Sequence, residues 1–281
     1  MLNGPITLLG YDAKWPIQFA REAAYKDASV RLLDPLSAHE LSRFSVTGGF
    51  AVGLRFSRDN KVLAVVKDGA SDGDRRAELW ETIPPRFLQG ITTPEAYPVG
   101  LPHQSNLNLL RFSPDSHQIA VAGSDGAVEV WDLANARRKT LWTGNKEKLD
   151  SVAFSSDSRK LATTGYGCNM KLWDIETREV LSNIGGRLSG FVGLAFSPGD
   201  DRLVTGSLGG SVTLWDIIGQ QPQEVGKLKA HKDDVVYVSF LPDGKTLASV
   251  CGRHVVRLAS TIVCRDRGHG AVQLDASIAG F

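Results

Sequence analysis

A hydroxyl, an imidazole and a carboxylate within hydrogen-bond reach of one another make an activated nucleophile, and this chain carries all three types at recurring positions before its tryptophans. His103 and Asp125 precede Trp131, Thr163 precedes Trp173, Thr205 precedes Trp215, Asp74 precedes Trp80, and His231 and Ser249 come last. No single recurrence supplies the full set, because the hydroxyl position before Trp131 is Val121 and the two threonine-bearing recurrences lack the imidazole. A catalytic triad is therefore not expected. These residues read as structural, since buried polar groups need partners and an indole N–H is a donor in search of one. The pairs Trp131-Asp132, Trp173-Asp174 and Trp215-Asp216 read as core anchors, each followed by a carboxylate that caps the next turn.

Metal and phosphate chemistry find no better footing. The segment VKDGASDGDRRAELW holds Asp68, Asp72 and Asp74, yet it lacks the terminal bidentate Glu and the alternating ligand spacing of a calcium loop, and it leads straight into a strand. It reads as a long hairpin turn. The glycine steps GGF, LGG and IGG lack the Lys-Ser/Thr and the following helix that a phosphate site needs. Cys168, Cys251 and Cys264 are odd in number and far apart, which suggests neither a disulfide framework nor a metal knuckle. No cofactor or metal is expected, and a reducing cytoplasm fits this cysteine usage best.

Composition narrows the partners. A formal charge of +1 with no long basic run gives no field for nucleic acid. The N-terminus has no basic start followed by an apolar stretch, and the longest apolar run, VVYVSFLP at 235–242, is of strand length, so neither a signal peptide nor a membrane span is expected. With 281 residues, 42% of them apolar, and 29 glycines, the chain has material for a sizeable core crossed by many turns.

The elements that must position these groups come from an internal repeat. Aligning RFSPDSHQIAVAGSDGAVEVWDL, AFSSDSRKLATTGYGCNMKLWDI and AFSPGDDRLVTGSLGGSVTLWDI places Phe112, Phe154 and Phe196 at intervals of 42, each leading its Trp by 19. Degenerate copies flank them: VGLRFSRDNKVLAVV reaches Trp80 after a five-residue insertion, VSFLPDGKTLASVCGRHVVRLAS has Leu258 in the Trp slot, and the fragment DASVRLLDP has Leu33 there. Within each copy, short alternating runs bounded by turn clusters predict four strands. Their β-branched and aromatic content suits sheets packed on both faces.

These motifs resemble the WD-repeat family, whose period is about 40 to 45 residues and whose third strand ends in Trp-Asp. The resemblance covers roughly residues 27–260. It implies an all-β fold, a WD40-type β-propeller that is incomplete or has about five to six blades of four antiparallel strands. It also implies a buried network of entry-loop His, second-strand Ser or Thr, turn Asp and Trp, which is complete in no copy here. Entry loops and second-to-third strand turns would line one rim, making Gln104, Asp125, Tyr166, Asn169, Arg187 and Lys232 candidate contact positions. A propeller enzyme would need converging groups at the starts of first strands, where Asn106, Lys148, Leu188 and Asp233 form no consistent set.

The ends differ from the middle. Residues 1–26 are expected to form a strand and a short helix begun by Pro16, with Trp15, Phe19 and Ala23 on one face. The stretch YDAKWP within it is similar to the opening of the GrpB-type, nucleotidyltransferase-like family, with Ala13 in place of a Pro. The last repeat is expected to end after three strands at HVVRLAS, with either ELSRFSV or AVQLDAS in the tail at 261–281 as its outer strand. The function this implies is a non-catalytic scaffold for a protein or peptide partner. The alternatives are a sensor or regulatory remnant of a larger signalling kinase or ATPase and, more remotely, a propeller enzyme or a GrpB-like nucleotidyltransferase.

Overall fold

Alternating apolar residues broken by Ser, Asp and Gly turns yield strands throughout. The computed structural model describes residues 28–33, 39–46, 50–68, 76–82, 84–92, 110–122, 126–135, 137–142, 149–165, 170–184, 190–219, 221–251, 256–263 and 272–275, and among these there is no helix. The helix expected from Pro16 lies outside the described residues. The strands fall into two compact units, the first reaching Leu101 and the second holding everything from Asn108 on.

The first unit contains a two-stranded sheet, β1 (Ala28–Leu33) and β2 (Glu40–Val46), and a four-stranded meander, β3 (Phe50–Phe56), β4 (Val62–Asp68), β5 (Arg76–Thr82) and β6 (Pro85–Thr92). The pairing of β1 with β2 slips between Leu32 and Leu33, just as β5 with β6 slips between Leu79 and Trp80. The two strands therefore have the register of the third and fourth strands of a repeat, with Leu33 at the Trp position. Val30, Leu32 and Phe44 from this pair pack on Leu63 and Val65 of β4, beside Trp80.

The second unit holds four meanders of four antiparallel strands. They are β7 (Leu110–Phe112) to β10 (Arg138–Trp142), with β8 (Gln118–Ala122) and β9 (Ala127–Asp132) between; β11 (Leu149–Phe154), β12 (Lys160–Gly165), β13 (Met170–Asp174) and β14 (Val180–Ile184); β15 (Phe191–Phe196), β16 (Arg202–Ser207), β17 (Ser211–Asp216) and β18 (Gln223–Lys229); and β19 (Val235–Phe240), β20 (Thr246–Cys251), β21 (Val256–Val263) and β22 (Val272–Asp275). Neighbouring sheets bury one another face to face. The Trp-bearing face of β15–β17, with Leu194, Leu203 and Trp215, seats on Ala153, Ala162, Met170 and Leu172 of the sheet before it. The next junction repeats this with Val235, Val238 and Leu247 on Val204, Val212 and Leu214. Backbone approach there is close, since a Cβ on Gly206 would lie 2.5 Å from Val235.

Four of the five meanders open with the same serine-bearing first turn, and the last has Leu241 in the serine position. Ser57, Ser113, Ser155 and Ser197 are buried, and each hydroxyl donates to an aspartate, Asp59, Asp115, Asp157 or Asp201, at 2.5–2.7 Å. The same oxygens accept the amide that starts the second strand, at Val62, Gln118, Lys160 and Arg202. The tight return puts Asn60, Ser116, Ser158, Asp200 and Gly244 at positive φ, between 56° and 63°, a region that Asn, Asp and Gly enter most readily. These turns also lean on one another: Asp115 N donates to Ser158 Oγ at 3.2 Å, and Ser156 N to Asp200 at 2.7 Å, each across adjacent sheets.

The last sheet takes one of the two outer strands expected for it and departs from expectation at the Trp slot. Its outer strand is β22, which follows the three strands counted from sequence and pairs with β21 only over Ser260–Val263, whereas β2, the other candidate, pairs with β1. And Leu247 pairs with Ala259, as Leu161 pairs with Trp173 and Leu203 with Trp215, so the Trp slot belongs to Ala259 and not to Leu258. Leu258 lies opposite Ala248, on the other face of the strand. β20 accordingly alternates, with Leu247, Ser249 and Cys251 buried, while β12 and β16 are buried along nearly their whole length.

Candidate functional site

The buried polar residues sort into ties within sheets and ties between them. Trp173 Nε1 donates to Thr163 Oγ1 at 3.1 Å, and Trp215 Nε1 to Thr205 Oγ1 at 2.9 Å, with both indoles almost fully buried. Where valine replaces the hydroxyl, another acceptor appears: Trp131 Nε1 donates to Glu129 and Trp80 Nε1 to Glu78, both at 3.2 Å. The register accounts for this, since Val121 lies opposite Glu129 and Val65 opposite Glu78, two residues before each Trp on the same face. Glu129 is buried and is neutralised by Arg138, 2.9 Å away. The carboxylates after the tryptophans cap turns. Asp132 Oδ1 accepts from Ala134 N, Asp174 Oδ1 from Glu176 N and Thr177 N, and Asp216 Oδ1 from Ile218 N. Those of Thr177 and then Glu176 hold the Asp174 carboxyl below its ordinary range.

One loop end is described in atomic detail. The turn Leu208-Gly209-Gly210, between β16 and β17, is strapped by the segment entering β19. His231 N donates to Gly210 O at 2.9 Å, Gly209 N to Asp234 Oδ1 at 2.7 Å, and the Lys229 ammonium to Gly209 O. Only glycine suits position 210, where φ is +86° and a Cβ would lie 2.0 Å from the His231 carbonyl oxygen. The His231 ring turns inward, its Nε2 2.8 Å from Ser249 Oγ on β20. Burial, then the nearby Arg257 guanidinium, push the imidazole below its ordinary pKa, outweighing Ser249 and Asp233, which act the other way.

The pairing of His231 and Ser249 has the outline of a general base and a hydroxyl, but the residues are only 4% and 5% exposed. In this conformation the hydroxyl meets packing instead of a substrate carbonyl. Among the described residues no group of three or more His, Cys, Asp or Glu is arranged to hold a metal ion, and no helix is long and apolar enough to cross a membrane. Of the candidate rim residues, Lys232 is exposed on the strap. Gln104, Asp125, Tyr166, Asn169 and Arg187, together with His103, lie outside the described residues. Sequence reasoning missed Glu78 and Glu129. The signal was available as a Val in the hydroxyl slot coinciding with a Glu two places before the Trp. It also missed the buried turn serines, which the Phe-Ser recurring before four of the turns announces.

No match to the chain is found among curated proteins. The family model described as WD domain, G-beta repeat matches four consecutive segments, 99–132, 137–174, 179–216 and 222–258. Three of them end at or just after a Trp-Asp pair, the fourth ends one residue short of Ala259, and together they cover just over half of the chain. With its repeats, its four-stranded meanders and its indole-to-threonine ties all in phase, the chain belongs to the WD40 repeat family.

Proposed function

We propose that this chain is a non-catalytic scaffold that presents the loops at one end of its sheets to a protein or peptide partner, in a reducing compartment such as the cytoplasm, and takes neither nucleic acid nor a membrane surface as its ligand. WD40 repeats indicate a protein-interaction scaffold in general. The observation that carries the finer reading is the strap, where hydrogen bonds to a neighbouring entry segment hold the Gly209-Gly210 turn. A loop held in this way presents its side chains without first losing entropy on binding. Lys232, exposed beside the buried His231, is the contact position most directly supported.

The test is capture of partners on the immobilised 281-residue chain, with cross-linking to locate their contacts. Cross-links should concentrate on the loops around 208–210 and 229–234, and Lys232→Glu should weaken capture while leaving the melting temperature unchanged. Cross-links confined to outer strands, or retention only of nucleic acid that 0.2 M salt releases, would contradict the reading.

A further inference from the structure

We propose that His231 is an acid-labile pin, and that its protonation releases the strap from the Gly209-Gly210 turn and so reshapes the loop end on which Lys232 sits. The inference rests on the scaffold reading only for its biological meaning; the switch stands on geometry. His231 joins two sheets through a single residue. Its backbone amide holds Gly210 O of the neighbouring sheet, while its ring is anchored to Ser249 within its own. The pin cannot leave its pocket without loosening the strap.

The groups facing the ring explain why a proton would drive it out. On β21, Arg257 lies opposite Ser249, and its Nε is buried without a hydrogen bond. On β20 the same face offers Ser249 and, beyond it, the Cys251 thiol, both buried. The turn at 208–210 has no ionisable side chain. At the end of β18 Lys229 and on the strap Asp234 are engaged with Gly209, Lys232 is exposed, and among the described residues Asp233 is the carboxylate acting on the ring. An imidazolium would therefore sit beside an arginine in a site that water screens poorly.

The sign follows from the lowered pKa. The neutral ring is favoured in the folded chain, so the strap is closed above about pH 6.5, the ordinary value for His, and opens as the pH falls below it. Proton-nitrogen correlation spectra of the full chain between pH 7.5 and 5.0 test this. The Gly209 and Gly210 amides should titrate with the His231 ring at one shared midpoint below 6.5. Arg257→Gln should move that midpoint up towards 6.5, and His231→Gln should leave both glycine amides flat.

Glycine amides that stay flat in the natural chain, a titration that persists in His231→Gln, or a midpoint unmoved by Arg257→Gln would each overturn the proposal. So would collapse of the whole spectrum over the same range, which would mean global unfolding. If His231→Gln does not give a dispersed spectrum, the shared midpoint and its response to Arg257→Gln decide the matter.

Discussion

Thr163→Val is the substitution whose outcome says most about how these sheets are held. Valine keeps the shape and the strand preference of threonine but removes the acceptor 3.1 Å from Trp173 Nε1, in a position where the indole is 2% exposed and water cannot substitute. Leaving a buried donor unsatisfied costs about 1–3 kcal/mol. For units of this size that lowers the melting temperature by roughly 3–10 °C. The natural chain already contains the remedy, because Val121 faces Trp131 and Glu129 takes the indole proton instead. Lys171 occupies the corresponding place opposite Thr163.

Lys171→Glu alone should be mildly destabilising, since it removes a cation 5.9 Å from the Trp173 ring. Combined with Thr163→Val it should recover part of the loss, with a coupling of about 0.5–2 kcal/mol. Recovery would be incomplete, because Val180 stands across from Trp173 where Arg138 stands across from Trp131. Urea and thermal unfolding of the four variants, followed by tryptophan fluorescence, measure the cycle. A double variant that loses as much as the two singles combined would refute the idea that glutamate and threonine are interchangeable acceptors here.

Other expectations are as specific. Trp173→Ala should cost roughly 3–5 kcal/mol, and a calorimetric melt unchanged from the natural chain would contradict the buried, hydrogen-bonded position of the ring. Thr164→Val removes a fully buried hydroxyl that makes no hydrogen bond, so it should be neutral or raise the urea midpoint; a clear fall would point to an internal partner. Gly210→Ala forces a side chain into φ +86° against the His231 carbonyl, and limited proteolysis should then cut near 229–234 at a protease dose the natural chain survives. Asp174 has its carboxyl held down by the amides of Thr177 and Glu176, so its stabilisation is present above about pH 4 and is lost as pH falls through the lower, folded value. Asp174→Asn should therefore narrow the difference in stability between pH 6 and pH 3.

The repeat was legible because packing demands it. In three copies a Phe at the end of the first strand and a Trp near the end of the third face neighbouring sheets, and their spacing of 19 survives the drift of the residues between them. The Trp slot of the final copy was misread for a related reason: Leu258 is the more apolar choice beside Ala259, but the strand register counts residues and is blind to hydropathy. β22 was hard to place because it follows a tail outside the repeat phase, and only backbone pairing assigns it. The acceptor role of Glu129 was hidden because a charged residue in a strand reads as solvent-facing until its arginine is seen beside it. For the rim, the family resemblance implied a set of contact positions, and of these Lys232 falls among the described residues, on the strap around His231 that shows how one loop is held.

The alanine at 259 carries a mechanical consequence. Three sheets of the second unit are anchored by an indole, while the fourth sets only a methyl group in that place. Tension applied from the C-terminal side would peel this sheet away before the tryptophan-bearing ones yield, which gives the chain a fuse at one end and confines the first tear to residues that can rezip.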